Sequence, residues 1–346
     1  MERIKTKWQS PSNIAIVKYW GKKENQIPAN PSISFTLDSV FTTMEMILES
    51  KITNENIEID FFFENKPNKS FEPKIISLLS QASKQFDWIT KYRIVIYSSN
   101  NFPHGTGIAS SASSMSGLSL CICDISKQLG YKFQFDDFFV ESSYWSRIGS
   151  GSACRSIYGG FVSWGKTDSI ENSSDLYATS IKNIHPNFEE IYDYVLIADS
   201  SEKSVSSTKG HAMLNEHWYA ERRYEEANLN TYKLMECLKN GDIETFGQIA
   251  EKEALSLHAM MLTSNPGYFL VKANTLKIIE KIREFKNKYN VPLFFTLDAG
   301  PNVHLLFFKD NFELIDNWVK KELVVYCSNE EYFCNKIGKG PIKIEE

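Results

Sequence analysis

No stretch of this 346-residue chain stays apolar for the roughly 20 residues a membrane-spanning helix needs. The opening MERIKTKWQS lacks the apolar core of a secretory leader, and the closing IKIEE is not a peroxisomal address. Basic excess is missing as well. The formal charge is −5, which gives no support for nucleic-acid binding and makes any anion site a local cluster. Cysteine is scarce, six in all, and the six form no zinc pattern. Without a leader they are expected to be reduced thiols, mostly buried, in a cytoplasmic protein. His104, His211, His258 and His304 are scattered, with no pair at zinc-ligand spacing, so no protein-held metal is expected. No internal repeat is evident. What is left, 42% apolar and 23% charged residues, is the composition of a globular protein of two domains or one large one.

The most informative stretch present is 92–130, YRIVIYSSNNFPHGTGIASSASSMSGLSLCICDISKQLG. A β-branched and aromatic run, 94–97, leads into a turn-rich loop. Met115, Leu118, Ile122, Ile125 and Leu129 then recur at spacings of three and four, and Gly130 is placed to stop a helix. A Gly- and Ser-rich loop therefore opens a long helix. Such an N-terminus offers backbone N–H groups and the positive end of the helix dipole to an anion, above all a phosphate chain. Gly105 and Gly107 permit close approach, and Ser110 and Ser111 add hydroxyls. Ordinary helix capping is the competing reading. No Lys follows the second Gly, so this is not a Walker A loop, and no third Gly follows to make a dinucleotide fingerprint.

The rest reads as α+β in two halves. Strands are expected at 35–49, 57–64, 93–97 and 159–164, and helices at 74–86, 110–129 and 136–149. A polar connection, 166–180, follows. The second half is expected to begin with a strand at 192–198. Helices are then expected at 209–240, 243–261 and 268–289, strands at 293–297 and 303–308, and a last helix at 312–323. The pattern is not a regular βαβ alternation, and the boundary is placed near residue 190, giving halves 1–190 and 191–346.

Four further segments carry candidate chemistry. In SPSNIAIVKYWGKKENQ, Lys18, Lys22 and Lys23 surround Tyr19 and Trp20, suited to a polyanion, against the plainer reading of a solvated face with two packed aromatics. In RIGSGSACRSIYGG, small residues precede Arg155, which can clamp a carboxylate or phosphate through two parallel bonds, or end a plain turn. In TLDAGPNVH, Asp298 leaves an apolar strand as a turn initiator or as a carboxylate facing a cleft. In KSVSSTKG, the hydroxyls either cap the next helix or reach a phosphate.

Taken together and in this order, SNIAIVKYWGKKE, ANPSISFTL, NNFPHGTGIASSAS, GSGSACRSIYGGFVSW and TLDAGPNVHLL closely resemble the diphosphomevalonate decarboxylases. That family lies within the superfamily of galactose, homoserine, mevalonate and phosphomevalonate kinases. The resemblance spans residues 8–340, and KYWGK and GSGSACRS are the pieces most specific to the decarboxylase branch. It implies an α+β fold, with an N-terminal half like ribosomal protein S5 domain 2, a C-terminal ferredoxin-like half and a cleft between them. It implies ATP-dependent conversion of mevalonate 5-diphosphate to isopentenyl diphosphate, ADP, phosphate and carbon dioxide, with magnesium arriving on ATP and a homodimer as the assembly. By the same resemblance, Pro103, Gly105, Gly107, Ser110, Ser111 and Ser113 belong to the nucleotide cradle. Asp298 matches the base beside the C3 hydroxyl. Arg155 and Asn13 match the carboxylate clamp, and Tyr19, Lys22 and Ser150 the diphosphate anchor. Lys18, Ser152 and Ser207 match groups near the transferred phosphoryl.

Departures are few. The cradle HGTGIASSASS is less Ala-rich than in many relatives, Thr208 stands where some bacterial relatives have Arg, and Pro31 where many eukaryotic members have Ser. Alternatives kept open are a mevalonate 3-kinase, a mevalonate 5-monophosphate decarboxylase and a non-catalytic nucleotide-binding relative. Asp298 together with Arg155 speaks against the first, and Tyr19 with Lys22 against the second. The joint presence of Asp298, Arg155 and Lys18 speaks against the third.

Overall fold

The computed structural model of the chain describes residues 4–51, 56–102, 110–201, 205–214 and 216–345. The first half is built on strands β1 (Lys5–Val17), β2 (Ser32–Ser50), β3 (Glu58–Phe63), β4 (Lys66–Pro67), β5 (Tyr92–Asn100), β6 (Phe161–Trp164) and β7 (Thr179–Ser180), with helices α1 (Glu72–Ala82), α2 (Trp88–Lys91), α3 (Ser110–Gln128) and α4 (Phe138–Gly149). The second half carries β8 (Ile191–Leu196), α5 (Ser207–Ala212), α6 (Ala220–Asn240), α7 (Ile243–Leu262), α8 (Ala273–Tyr289), β9 (Leu293–Leu297), β10 (Val303–Phe308), α9 (Phe312–Trp318), β11 (Tyr332–Lys336) and β12 (Ile342–Lys343). The fold is α+β, with two sheets. The larger runs β12-β1-β2-β5-β3-β4, with β6 on β2 and β7 on β6, and the smaller runs β11-β8-β10-β9.

β1 shows how the halves meet. Its first residues alternate in burial, Trp8 turning inward onto the cluster around α3, while residues after Ser10 are buried on both faces. Alternation belongs to a sheet with one wet face, and continuous burial to a sheet covered on both. The second cover comes from the other half. Ile14, Ile16, Phe35 and Phe161 share a core with Val195, Phe246, Ile249, Phe294 and Leu306. Each fully buried ring or branched chain contributes about 1.5–3 kcal/mol. β8, β9 and β10 follow the same period of two, because their alternate residues Tyr194, Phe295, Leu305 and Phe307 pack instead with Ile278, Ile282, Phe285 and Trp318. The tail returns to the first sheet. β12 pairs with β1, and Lys343 lies 2.7 Å from the buried Asp124, which also accepts from Thr6 and Trp8.

Helix α3 runs close to its expected span and is buried almost throughout. Its serines remain compatible with that burial by donating back to carbonyls one turn earlier, Ser114 to Ser110 at 2.7 Å and Ser119 to Met115 at 2.8 Å. Two expectations fail. The helix expected over 209–240 is two helices, α5 and α6. His217 accepts the Tyr219 N–H on Nδ1 at 3.1 Å and so takes a donor the continuous helix would need. The helix expected from residue 268 starts only at Ala273, where Thr275 Oγ1 accepts the Lys272 N–H at 3.1 Å. No described helix is long and apolar enough to cross a membrane.

Helix α7 lies against β9 so closely that a β-carbon on Gly247 would sit 2.0 Å from the buried Phe294 ring. Gly247→Ala is expected to destabilise the protein by about 1–3 kcal/mol in urea unfolding, as overpacking of a filled core does. An unchanged midpoint would mean the ring can move aside.

Candidate active site

A cavity of about 190 Å³ lies where β1 ends, and both halves line it. Lys18 and Asp298 meet there. Lys18 Nζ is 3.1 Å from Asp298 Oδ1, with the ammonium side chain 2% exposed and the carboxylate side chain 27%. The carboxylate thus faces the open space and the cation is sealed behind it. Burial holds the Lys18 pKa below the usual lysine value, and the attraction of Asp298 and then Glu253 works against that fall. The turn carrying Asp298 is fixed from α7, where His258 Nε2 donates to the Asp298 backbone carbonyl at 3.0 Å. On the other side, Glu253 of α7 accepts the Lys18 N–H at 2.8 Å, and Asn30 donates to the Lys18 carbonyl at 3.0 Å.

Arg155 is the second buried cation of the cavity. It sits in the 3-10 turn Gly151–Ile157 that follows α4. Its Nε donates to Ser34 Oγ at 2.9 Å and its Nη1 to Ser32 Oγ at 2.7 Å. Both partners are neutral, and among the described residues no carboxylate lies within ion-pair distance of it. Burial lowers its pKa. Its guanidinium carbon also lies 5.9 Å from the centre of the Trp164 ring. A buried guanidinium with neutral partners is matched to an anion from outside the chain. Asn13 lies beside it and donates to Ser156 Oγ at 2.8 Å and to the Ser152 carbonyl at 3.3 Å, while its own Oδ1 has no partner among the described residues. Ser150 and Ser152 complete this wall. Gly151 between them is required by space, since a β-carbon there would approach Trp164 and the Tyr19 hydroxyl at 2.8 Å.

Tyr19 packs at a tilt between Trp164 and His211, with ring centroids 4.7 and 4.4 Å away. Its buried hydroxyl has no partner among the described residues, and burial raises its pKa, so it stays protonated as a donor. His211 also packs on Trp20 at 4.4 Å, and its Nδ1 accepts the Gly21 N–H at 3.0 Å. Burial, then the charge of Lys22, depress its pKa to about 3, so the imidazole is neutral with its proton on Nε2. Lys22 and Lys74 bring two more cations to the cavity wall.

The structure therefore gathers Asn13, Lys18, Tyr19, Lys22, Ser111, Ser150, Ser152, Arg155 and Asp298 around one space. Ser110 opens α3, and its carbonyl accepts from Ser114. Ser113 is buried away from the cavity lining, bonded to Thr42 at 2.7 Å. Pro103, Gly105 and Gly107 lie outside the described residues, as does the Ser207 side chain at the start of α5. Lys74, His211, Glu253 and His258 belong to the site but escaped the sequence reading, because nothing in their local spacing distinguishes them from ordinary helix residues. Among the described residues no three His, Cys, Asp or Glu side chains gather to hold a metal ion. A divalent ion here would depend on ligand phosphates, with Ser111 as a neighbouring hydroxyl, and the cations and unpartnered donors fit a polyphosphate.

Two family models match the chain. That of the diphosphomevalonate decarboxylase-like N-terminal domain covers residues 10–178, and that of the mevalonate 5-diphosphate decarboxylase C-terminal domain covers residues 194–345. The diphosphomevalonate decarboxylase of Schizosaccharomyces pombe is 28% identical, over 97% of this chain and 86% of that protein. The mevalonate diphosphate decarboxylase of Staphylococcus aureus superposes with a TM-score of 0.84 at 26% identity, covering 99% and 98% of the two chains. A structure of MDDEF in complex with MVAPP, AMPPCP and magnesium gives a TM-score of 0.84 at 27% identity, covering 99% of this chain and 100% of that one.

The neutral, buried His211 has a consequence for acid stability. The unfolded chain takes up a proton on this residue near pH 6.5 and the folded chain only near 3, so the unfolded state binds more protons in acid. Stability from this residue is complete above pH 6.5 and is lost as pH falls towards 3. His211→Gln should therefore flatten the fall in melting temperature over that interval. An unchanged slope would show that the imidazole is not held neutral.

Proposed function

The chain belongs to the diphosphomevalonate decarboxylase family, and from that membership we propose how its residues divide the work of converting mevalonate 5-diphosphate, with ATP, to isopentenyl diphosphate, ADP, phosphate and carbon dioxide. The observation that carries the assignment is the buried Arg155, bonded to serine hydroxyls beside the Lys18–Asp298 pair.

Tyr19, Lys22 and Ser150 hold the diphosphate of the substrate. Arg155 and Asn13 hold its carboxylate, so that the C3 hydroxyl faces Asp298. Asp298 takes the hydroxyl proton as the oxygen gains a phosphoryl group from ATP, and Lys18, with Ser152 and Ser207, offsets the charge of the transferring group. Magnesium, arriving with ATP, neutralises phosphate charge. The phosphorylated C3 oxygen then leaves as phosphate. The C1–C2 bonding pair becomes the C2–C3 double bond as carbon dioxide departs. Arg155 keeps the carboxylate aligned for that departure. Little covalent chemistry falls to the protein, and positioning dominates. The nucleotide cradle is the segment from Pro103 to Ser113, with Gly105, Gly107, Ser110 and Ser111. The chain divides near residue 190, with Asp298 in the second half. Its six cysteines are free thiols, which supports a reducing, cytoplasmic setting.

The assay is product analysis with mevalonate, its 5-phosphate and its 5-diphosphate. The 5-diphosphate should give phosphate and carbon dioxide in equal amounts with ADP. ADP without carbon dioxide would make the protein a kinase only. Asp298→Asn should leave folding and ATP binding intact and lower turnover by about two to four orders of magnitude. Near-normal turnover of that variant would remove Asp298 from the proton transfer. Arg155→Lys keeps charge but loses the planar clamp, and should cost on the order of 2–4 kcal/mol of transition-state stabilisation. A Lys variant that decarboxylates normally would reduce Arg155 to a diffuse charge.

A further inference from the structure

A buried polar cluster behind the cavity has no place in the residue roles above. Glu253, on α7, is fully buried. Its Oε2 accepts the Lys18 N–H at 2.8 Å and a bond from Arg223 Nη2, and its Oε1 accepts from Asn230 Nδ2 at 2.6 Å. Arg223 and Asn230 both come from α6 and are themselves buried. Among the described residues its polar contacts are all donors, and one of them is the backbone of the residue that faces Asp298.

That backbone needs a partner. β1 ends at Val17, with an irregularity in its register against β2 between Ala15 and Val17. Lys18 lies beyond the ladder, and a buried N–H without an acceptor is costly. Glu253 supplies the acceptor on one side of the residue and Asn30 the donor on the other. The same helix reaches the second member of the pair, since His258 donates to the Asp298 carbonyl at 3.0 Å. Glu253 and His258 are five residues apart, about 7.5 Å along an α-helix. One rigid element thus grips Lys18 and Asp298 by their main chains.

We propose that Glu253, oriented by Arg223 and Asn230, is a positioning residue that fixes the Lys18 main chain and so aims its ammonium at Asp298 and the reacting oxygen. The inference rests on the reading of Lys18 as part of the reaction site. The plain alternative is a buried ion pair serving stability alone. Such pairs are often replaceable by apolar residues at little cost, but that replacement here would leave the buried Lys18 N–H without its acceptor. The charged groups facing Lys18 are Asp298 from the turn after β9, Glu253 from α7 and Arg155 from the 3-10 turn. The first two favour the ammonium and Arg155 opposes it.

Two variants separate position from charge. Glu253→Gln keeps the shape and an acceptor but removes the charge. Its kcat should fall about tenfold with KM for mevalonate 5-diphosphate changed less than about twofold. The basic limb of its kcat profile should move to lower pH by about half to one unit, because the ammonium has lost one of its supporting charges. Glu253→Asp keeps the charge for Arg223 but loses reach. Its kcat should fall with the basic limb in place, and it carries the test should the Gln variant fail to fold. Wild-type kcat and an unmoved limb in both folded variants, with only the melting temperature lowered, would overturn the proposal. Lys18→Met is the control. Normal turnover in that variant would remove Lys18 from the reaction. Lost turnover in it, with wild-type behaviour at Glu253, would defeat the positioning role alone.

Discussion

The contact between Lys18 and Asp298 is the constraint on which the rest of the structure depends. The two residues are separated by 280 positions, one at the end of β1 and the other after β9. A lysine buried this deeply is unfavourable unless an anion meets it. The two halves must therefore be docked before Lys18 can be charged and buried together. The docking force comes from the core they share, where Ile14, Phe35 and Phe161 of one half interlock with Phe246, Phe294 and Leu306 of the other. Stability and site assembly are one event in this fold.

Around that pair the protein withholds compensation. Arg155 is bonded to hydroxyls where a carboxylate would neutralise it, and the neutral His211 adds no charge of either sign. Lys22 and Lys74 add positive charge at the wall. A chain with a formal charge of −5 thereby presents a local cationic cavity. Tyr19 and Asn13 add a hydroxyl and an amide oxygen without partners among the described residues. A cavity prepared in this way gains most from a ligand carrying several negative charges and at least one donor, as a hydroxy acid diphosphate does.

The sequence made some of this readable and not the rest, for physical reasons. Helix α3 was legible because its apolar residues recur at helical spacing, and β9 and β10 because short apolar runs flank a turn. β1 was not singled out as a strand, because burial on both faces erases the alternation that would reveal it. The break between α5 and α6 was missed because His217 ends the pattern through a side-chain bond that no periodicity announces. At the site, Lys18 stands out through the lysines and aromatics around it, Arg155 through its Gly- and Ser-rich turn, and Asp298 through the turn that ends an apolar strand. Glu253 and His258 sit on an ordinary amphipathic helix, and only tertiary contact distinguishes them. His211 likewise acquires its role only by lying between Tyr19 and Trp20.

Helix α7 links the packed core to both members of the pair. Its Gly247 allows Phe294 to approach, which sets the distance between the helix and the strand leading to Asp298. Its Glu253 then reaches the Lys18 main chain, Leu257 lines the cavity and His258 reaches the Asp298 main chain. A reaction that needs alignment more than covalent help from the protein is sensitive to shifts well below an ångström. Long side chains cannot give such precision alone, since each rotatable bond adds freedom. Tying both residues by their main chains to one close-packed helix removes most of that freedom. The lysine and the aspartate are then left only their own rotamers to adjust, and their mutual bond fixes those.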